Sequence, residues 1–200
     1  MLDTYLRPTI QKKWIDPLLK RLSSTLSPTA MTCCAAGCGM LAAFAIYAHF
    51  PWLAVVLLFF SGLADILDGS LARLQGVSSP QGAVLDIVSD RVVEGVVILG
   101  LYSFAPEERG GWCLLMLFSV LICVTSFLVV GVFSQNSGQK SFYYSPGLME
   151  RLEAFLFFIA MILLPRWFAP LAAIFTTLVF WTGFKRTAQF LSSQRGMSIY

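Results

Sequence analysis

The sequence predicts an all-α, polytopic membrane protein, and three observations carry that reading. Hydrophobic residues fill 57% of the 200 positions, whereas Asp, Glu, Lys and Arg fill only 12%, about half the charged share of an ordinary soluble domain. Mean hydropathy is +0.74. Residues 31–64, 110–139 and 167–184 contain no Asp, Glu, Lys or Arg, and each run can hold a crossing of roughly 20 residues.

The elements follow in chain order. Residues 1–28 begin MLDTYLRPTIQKKWIDPLLKRLSS, which mixes charges with Leu, Ile and Trp and lacks the continuous apolar core of a cleavable signal. This stretch reads as a juxtamembrane amphipathic helix lying on the bilayer surface. A first spanning helix is expected over 30–49. Pro51 then divides the first uncharged run, because proline cannot continue a helix interior, and a second helix follows over 52–75. The linker RLQGVSSPQG is rich in turn residues; Ser78 or Ser79 can cap a third helix over 80–104 with Pro80 in its first turn. Further helices are expected over 111–134, 147–165 and 167–192. That makes six transmembrane helices, and nothing remains for a second domain, so 1–200 reads as a single membrane domain.

Basic residues set the orientation, since Lys- and Arg-rich flanks stay cytoplasmic. With the N-terminus inside, Arg7, Lys12, Lys13, Lys20, Arg21, Lys140, Arg151, Lys185, Arg186 and Arg195 fall on that side, and only Arg109 and Arg166 fall outside. Both termini and the loop at 76–79 then face the cytoplasm. The net charge of +3 suits anionic headgroups and excludes a nucleic-acid partner, because the basic residues flank spans instead of forming one stripe. Cys33, Cys34, Cys38, Cys113 and Cys123 lie in apolar spans without metal-ligand spacing and are expected as small buried hydrophobes. His49, at a helix end beside Pro51, is expected at the membrane interface.

Against this apolar background stands D-x-x-D-G-x-x-A-R, then eight residues, then G-x-x-x-D-x-x-x-D, from Asp65 to Asp90. An unpaired aspartate at the bilayer centre costs about 2.5–3.5 kcal/mol on the translocon scale, so four cost on the order of 10 kcal/mol. Arg73 cannot balance four carboxylates. At about 100° per residue, Asp65, Asp68, Gly69 and Ala72 share one stripe of the second helix with Arg73 at its edge. Gly82, Asp86 and Asp90 share a stripe of the third. If these stripes face each other, the carboxylates converge. Hard oxygen ligands suit Mg²⁺ or Mn²⁺, and two divalent cations would balance four negative charges and clamp the oxygens of a phosphoryl displacement. Gly69 and Gly82 leave room for close approach, and Arg73 offers a planar fork for phosphate.

The eight positions Asp65, Asp68, Gly69, Ala72, Arg73, Gly82, Asp86 and Asp90 resemble without departure the signature of the CDP-alcohol phosphatidyltransferases. The run LSPTAMT before the first span resembles that family's T-P-N-x-x-T, with Thr29 in place of the common asparagine. The resemblance implies transfer of a phosphatidyl group from CDP-diacylglycerol to a small hydroxyl acceptor, with release of CMP, in phospholipid synthesis. It implies that Asp65, Asp68 and Asp86 bind metal, and that Asp90 binds metal and helps to deprotonate the acceptor. Gly69, Ala72, Arg73 and Gly82 would line the nucleotide pocket. It also implies a homodimer and, for a bacterial enzyme of this kind, the inner (cytoplasmic) membrane.

SPGLMERLEAF resembles the G-x-x-E-R-x-E stretch of the phosphatidylglycerophosphate and phosphatidylinositol-phosphate synthase branches, which makes Arg151 a candidate for an acceptor phosphate. The plainer alternative pairs Arg151 with Glu150 and Glu153 at a solvated helix start. Lys140, Lys185 and Arg186 could also serve a phosphate or act as positive-inside anchors. The uncharged run TSFLVVGVF speaks against inositol phosphate, and glycerol 3-phosphate is the leading expected acceptor, with serine, inositol phosphate and other alcohols open. Glu94 continues the acidic stripe one turn deeper, without a role in the motif. A rival reading from another class is a cation transporter with an intramembrane acidic site, although its usual matched Gly or Pro breaks are not evident.

Overall fold

In the computed structural model, which describes residues 27–77, 79–135 and 149–197, the described residues form helices joined by short turns, with no strand among them. The helices are α1 (Pro28–Tyr47), α2 (Pro51–Gln75), α3 (Pro80–Phe104), α4 (Pro106–Gln135), α5 (Arg151–Leu163), a 3₁₀ turn (Pro165–Trp167) and α6 (Phe168–Met197). The all-α class matches the sequence reading, and six α-helices fall where six spans were expected, although α5 has only 13 residues. Most boundaries agree within a few residues, but α4 begins at Pro106 and takes in Glu107, Glu108 and Arg109. The segment expected over 1–28 lies, except for its last two residues, outside the described residues.

Four helical stretches are long and apolar enough to cross a membrane: Pro28–Tyr47, Pro51–Gln75, Pro106–Phe133 and Pro165–Ser192. The other two differ for physical reasons. α3 carries Asp86, Asp90, Arg91 and Glu94, and α5 has 13 residues, about 20 Å of helix against roughly 30 Å of hydrocarbon.

Packing follows small residues, as expected where lipid tails are as apolar as leucine and helices associate through close contact. α1 lies against α2 and α3, α4 against α6, and α5 bridges α2 to α6. At Gly100 a Cβ would sit 2.8 Å from the Ala43 carbonyl oxygen, and at Gly39 one would sit 2.5 Å from Val93 Cγ1, so α1 and α3 touch nearly backbone to backbone. Gly183 plays the same part between α6 and α4, with Cys123 Cα 3.2 Å from its Cβ position. The shared core joins Leu58, Val97, Leu101, Met116, Phe158, Met161 and Phe175. Leu41, Phe44, Trp52, Phe59, Leu114, Leu121, Val132 and Phe184 face outward, which only a lipid environment tolerates on this scale. This is an integral membrane protein.

The cysteines need correction. Cys113 is buried as expected, but Cys33 and Cys34 on α1 are exposed, and Cys38 on α1 and Cys123 on α4 are half-buried. At the far end from the acidic motif, His49 closes α1 in the left-handed conformation (φ 62°), and its ring lies 4.6 Å from that of Phe104. Arg109 is buried there between Phe104 and Phe168, at 4.6 and 4.3 Å from the ring centres. Its Nη1 donates to the Leu101 carbonyl at 3.3 Å.

Candidate active site

The chain reversal between α2 and α3 puts the two acidic stripes side by side. α2 ends at Gly76 with φ 65°, a left-handed position that glycine takes without a Cβ penalty. The Val77 amide closes the turn on the Ala72 carbonyl at 3.2 Å. Ser79 then caps α3, its Oγ accepting from the Gly82 amide at 3.1 Å, with Pro80 in the first turn. Of the two serines proposed as caps, Ser79 takes the role; Ser78 lies outside the described residues.

Asp65, Asp68 and Asp86 each offer a carboxylate oxygen, and these three oxygens lie within 4.8 Å of one another. Asp68 is buried, and Thr32 Oγ1 on α1 lies 2.7 Å from its Oδ2 and 3.2 Å from the Pro28 carbonyl. The single hydroxyl proton therefore goes to the nearer carboxylate. Asp86 Oδ1 is buried with no hydrogen-bond partner. A buried carboxylate oxygen without a donor is costly unless a ligand takes it. Three hard oxygen ligands at this separation, one of them orphaned, fit a divalent cation.

The fourth carboxylate is placed differently. Asp90 does not join that trio; its Oδ1 and Asp65 Oδ1 both accept from Arg151 Nη1. Asp65 thus belongs to both groups and links them. Arg151 opens α5, where Glu150 and Glu153 form a reciprocal capping box, with the Glu150 amide 3.2 Å from Glu153 Oε2. The preceding residue is tied to α6, since the Met149 amide donates to Thr182 Oγ1 at 3.1 Å. Gly62 on α2 faces Phe155 of α5, with a ring carbon 3.8 Å from where a Cβ would stand, so α5 can approach the acidic end of α2 closely. The Arg151 guanidinium lies 5.5 Å from the Phe155 ring centre. The solvated pairing of Arg151 with Glu150 and Glu153 is not what forms. Arg151 instead turns inward, and its Nε is buried without a partner.

The expected nucleotide residues lie on the same helices, toward the turn that joins α2 to α3. Gly69, Ala72 and Gly82 are half-buried and Arg73 is exposed, with its Nη2 donating to Ser70 Oγ at 3.2 Å. A Cβ on Gly82 would meet Ser79 Oγ at 3.3 Å and nothing else within 4 Å. Lys140 lies outside the described residues. Glu94 is buried and paired with Arg91 Nη1 at 2.7 Å, while Arg91 Nη2 reaches Asp90 Oδ2 only at 3.9 Å.

Thr32 gains a role that the sequence reading left unassigned, and Arg186 gains packing contacts that it did not foresee. Thr32 is the final threonine of the LSPTAMT run, and that run was the available signal. Arg186 turns onto α4. Its Nη1 donates to the Cys123 carbonyl at 3.3 Å, and its guanidinium sits 5.1 Å from the Phe127 ring centre. A cation of α6 therefore lies beside Phe127, within the uncharged 125–133 run of α4.

Comparison with known proteins identifies the family. Residues 25–184 match the CDP-alcohol phosphatidyltransferase family. The chain is 34% identical over 201 residues to the Inner membrane protein YnjF of Escherichia coli (strain K12), covering 93% of each chain. It is 28% identical over 151 residues to the phosphatidylinositol phosphate synthase of Mycobacteroides abscessus, covering 74% of this chain and 67% of that one. Among solved structures, the phosphatidylinositol phosphate synthase of Mycobacterium tuberculosis in complex with manganese and citrate superposes with a TM-score of 0.69 at 19% identity, covering 88% of both chains. The same enzyme with CDP-DAG bound gives 0.61 at 22% identity, over 90% of this chain and 92% of that one. At these identities the structural likeness speaks for the fold alone.

Proposed function

We propose a function on one premise: the chain belongs to the CDP-alcohol phosphatidyltransferase family, which makes it a membrane transferase of phospholipid synthesis. It transfers the phosphatidyl group of CDP-diacylglycerol to a phosphorylated small alcohol and releases CMP. The observation that carries this reading is the trio Asp65, Asp68 and Asp86 within 4.8 Å, joined through Asp65 and Arg151 to Asp90.

Asp65, Asp68, Asp86 and Asp90 would hold two divalent cations, Mg²⁺ or Mn²⁺; when bound, these supply charge stabilisation at the transferring phosphoryl group and lower the pKa of a nearby hydroxyl. Manganese in the Mycobacterium tuberculosis relative supports the choice. Thr32 fixes the Asp68 carboxylate through its 2.7 Å hydrogen bond. Asp90 receives the acceptor proton, and a carboxylate within hydrogen-bond reach of the hydroxyl suffices for that task. Arg73 binds pyrophosphate oxygens as a fork of donors, over the space left by Gly69, Ala72 and Gly82. Arg151, with an unpartnered buried Nε, receives the acceptor phosphate, and Lys140 is retained as a second candidate.

For the acceptor, inositol phosphate replaces glycerol 3-phosphate as the preferred reading. Several relatives are phosphatidylinositol phosphate synthases, and one from Methanothermobacter thermautotrophicus is an archaetidylinositol phosphate synthase. The sequence-based objection was the uncharged 125–133 run; Arg186 packed over Phe127 supports a cation beside it. The basic residues around the helix ends, and the relative named as an inner membrane protein, support the whole chain as one domain of the inner membrane with its site facing the cytoplasm. A homodimer completes the reading.

The test uses purified protein, Mn²⁺ or Mg²⁺, CDP-diacylglycerol and a panel of acceptors, with CMP release as the readout. Inositol phosphate is expected to give a kcat/KM at least about tenfold above glycerol 3-phosphate or serine. A reversed preference reassigns the acceptor. Failure of every acceptor to release CMP defeats the transferase reading of this site.

A further inference from the structure

Arg151 stands where two demands on one set of atoms conflict. Its Nη1 is shared by Asp65 Oδ1 and Asp90 Oδ1, and all three side chains are largely buried, with 16%, 15% and 17% of their surfaces exposed. Asp65 also supplies an oxygen to the trio with Asp68 and Asp86. While Arg151 bridges Asp65 and Asp90, one oxygen of each is occupied by its guanidinium and is not open to a metal ion. Arg91 does not serve in its place, because its close partner is Glu94 at 2.7 Å and it reaches Asp90 only at 3.9 Å.

Charge points the same way. Four carboxylates carry −4, and a guanidinium between two of them relieves one unit of that charge. Two divalent cations balance all four, and a guanidinium left beside them is then surplus positive charge with its donors free. Arg151 already shows a donor without a partner, its buried Nε, and α5 is fixed at its start by the capping box and by Thr182. The side chain can therefore change partners while the helix that carries it stays in place.

We propose that Arg151 is the resident counter-cation of the carboxylate site: it bridges Asp65 and Asp90 in the metal-free protein and is released from them, to an anionic acceptor group, when the carboxylates close on divalent cations. This rests on the metal reading given above and deepens it. Its consequence is an order of events, in which the acceptor phosphate finds an available arginine only after the metal sites are filled. Linkage then makes metal and acceptor binding mutually favourable through this side chain.

Two measurements on the full-length protein in detergent or nanodiscs test it. The first is Mn²⁺ affinity from the electron paramagnetic resonance signal of free Mn²⁺, in wild type and in Arg151→Gln. Removing a competing cation is expected to tighten Mn²⁺ binding by about tenfold, the scale on which one partner of a buried charge pair matters. Unchanged or weaker binding by a variant that elutes and melts as a folded protein overturns the proposal. The second needs no variant. Phenylglyoxal labelling of Arg151, read by peptide mass spectrometry, is expected to rise several-fold on saturation with Mn²⁺ and to fall when inositol phosphate is then added. Labelling that is indifferent to Mn²⁺, or suppressed by it, also overturns the proposal. If wild type binds no Mn²⁺ while Asp86→Asn behaves identically, the metal reading itself fails and this inference falls with it. Normal, Asp86-dependent Mn²⁺ binding with neither Arg151 effect sinks only the inference.

Discussion

The two ends of the helix bundle handle buried charge in opposite ways. At the aromatic end Arg109 is enclosed by Phe104 and Phe168, with a backbone carbonyl for one of its donors. A cation over aromatic faces is stabilised by the ring quadrupole, so this arginine works as a staple between α3, α4 and the start of α6. At the acidic end four carboxylates share few donors, and both Asp86 Oδ1 and Arg151 Nε are left without partners. At the aromatic end the buried charge is held by its neighbours, whereas the unpartnered atoms among the carboxylates leave room for a ligand. The same residue type, arginine, takes both parts, and its neighbours decide which.

The sharpest way to break that contrast is at the acidic end. Asp86→Asn and Asp90→Asn should each lower CMP release by on the order of 10³-fold while thermal unfolding in detergent stays close to wild type. A variant retaining a tenth of the activity would remove that carboxylate from the site. Chelation with EDTA should have the same effect on wild type and be reversed by Mn²⁺.

Thr32→Val tests how far the site extends. Loss of the hydrogen bond to Asp68 should weaken apparent Mn²⁺ affinity by roughly 10- to 100-fold, with Thr32→Ser close to wild type. An unaffected Thr32→Val would mean that Asp68 is held by packing alone.

The aromatic end should respond in stability instead of turnover. Arg109→Ala removes both ring contacts and the packing of the side-chain stem, for an expected loss of about 1–2 kcal/mol. Activity per folded molecule should change little, as measured by CMP release normalised to the monodisperse fraction. A large fall in turnover without a change in unfolding would erase the distinction between the two ends. The smallest effect expected is that of Ser79→Ala, which deletes the α3 cap and should cost about 1 kcal/mol.

Much of this was legible before any coordinates. Uncharged runs gave the helices, Pro51 and Pro80 gave two of their starts, and the spacing of Asp65, Asp68, Asp86 and Asp90 gave one acidic face on each of α2 and α3. The cost of desolvating those carboxylates implied a ligand. The reason is that helical periodicity and desolvation act over a few turns of chain, and both can be counted along a sequence.

Only the tertiary structure decided which distant groups meet. Arg151 reaches Asp65 across 86 positions and Asp90 across 61, Thr32 reaches Asp68 across 36, and Arg186 lies against Cys123 across 63. Periodicity carries no information about such pairs. They depend on how closely small residues such as Gly39, Gly62, Gly100 and Gly183 let the helices approach, and on the rotation each helix adopts when it packs. The meeting of Asp90 with Arg151 belongs to the same class: the arginine is brought in by α5, a helix remote in sequence from both acidic ones.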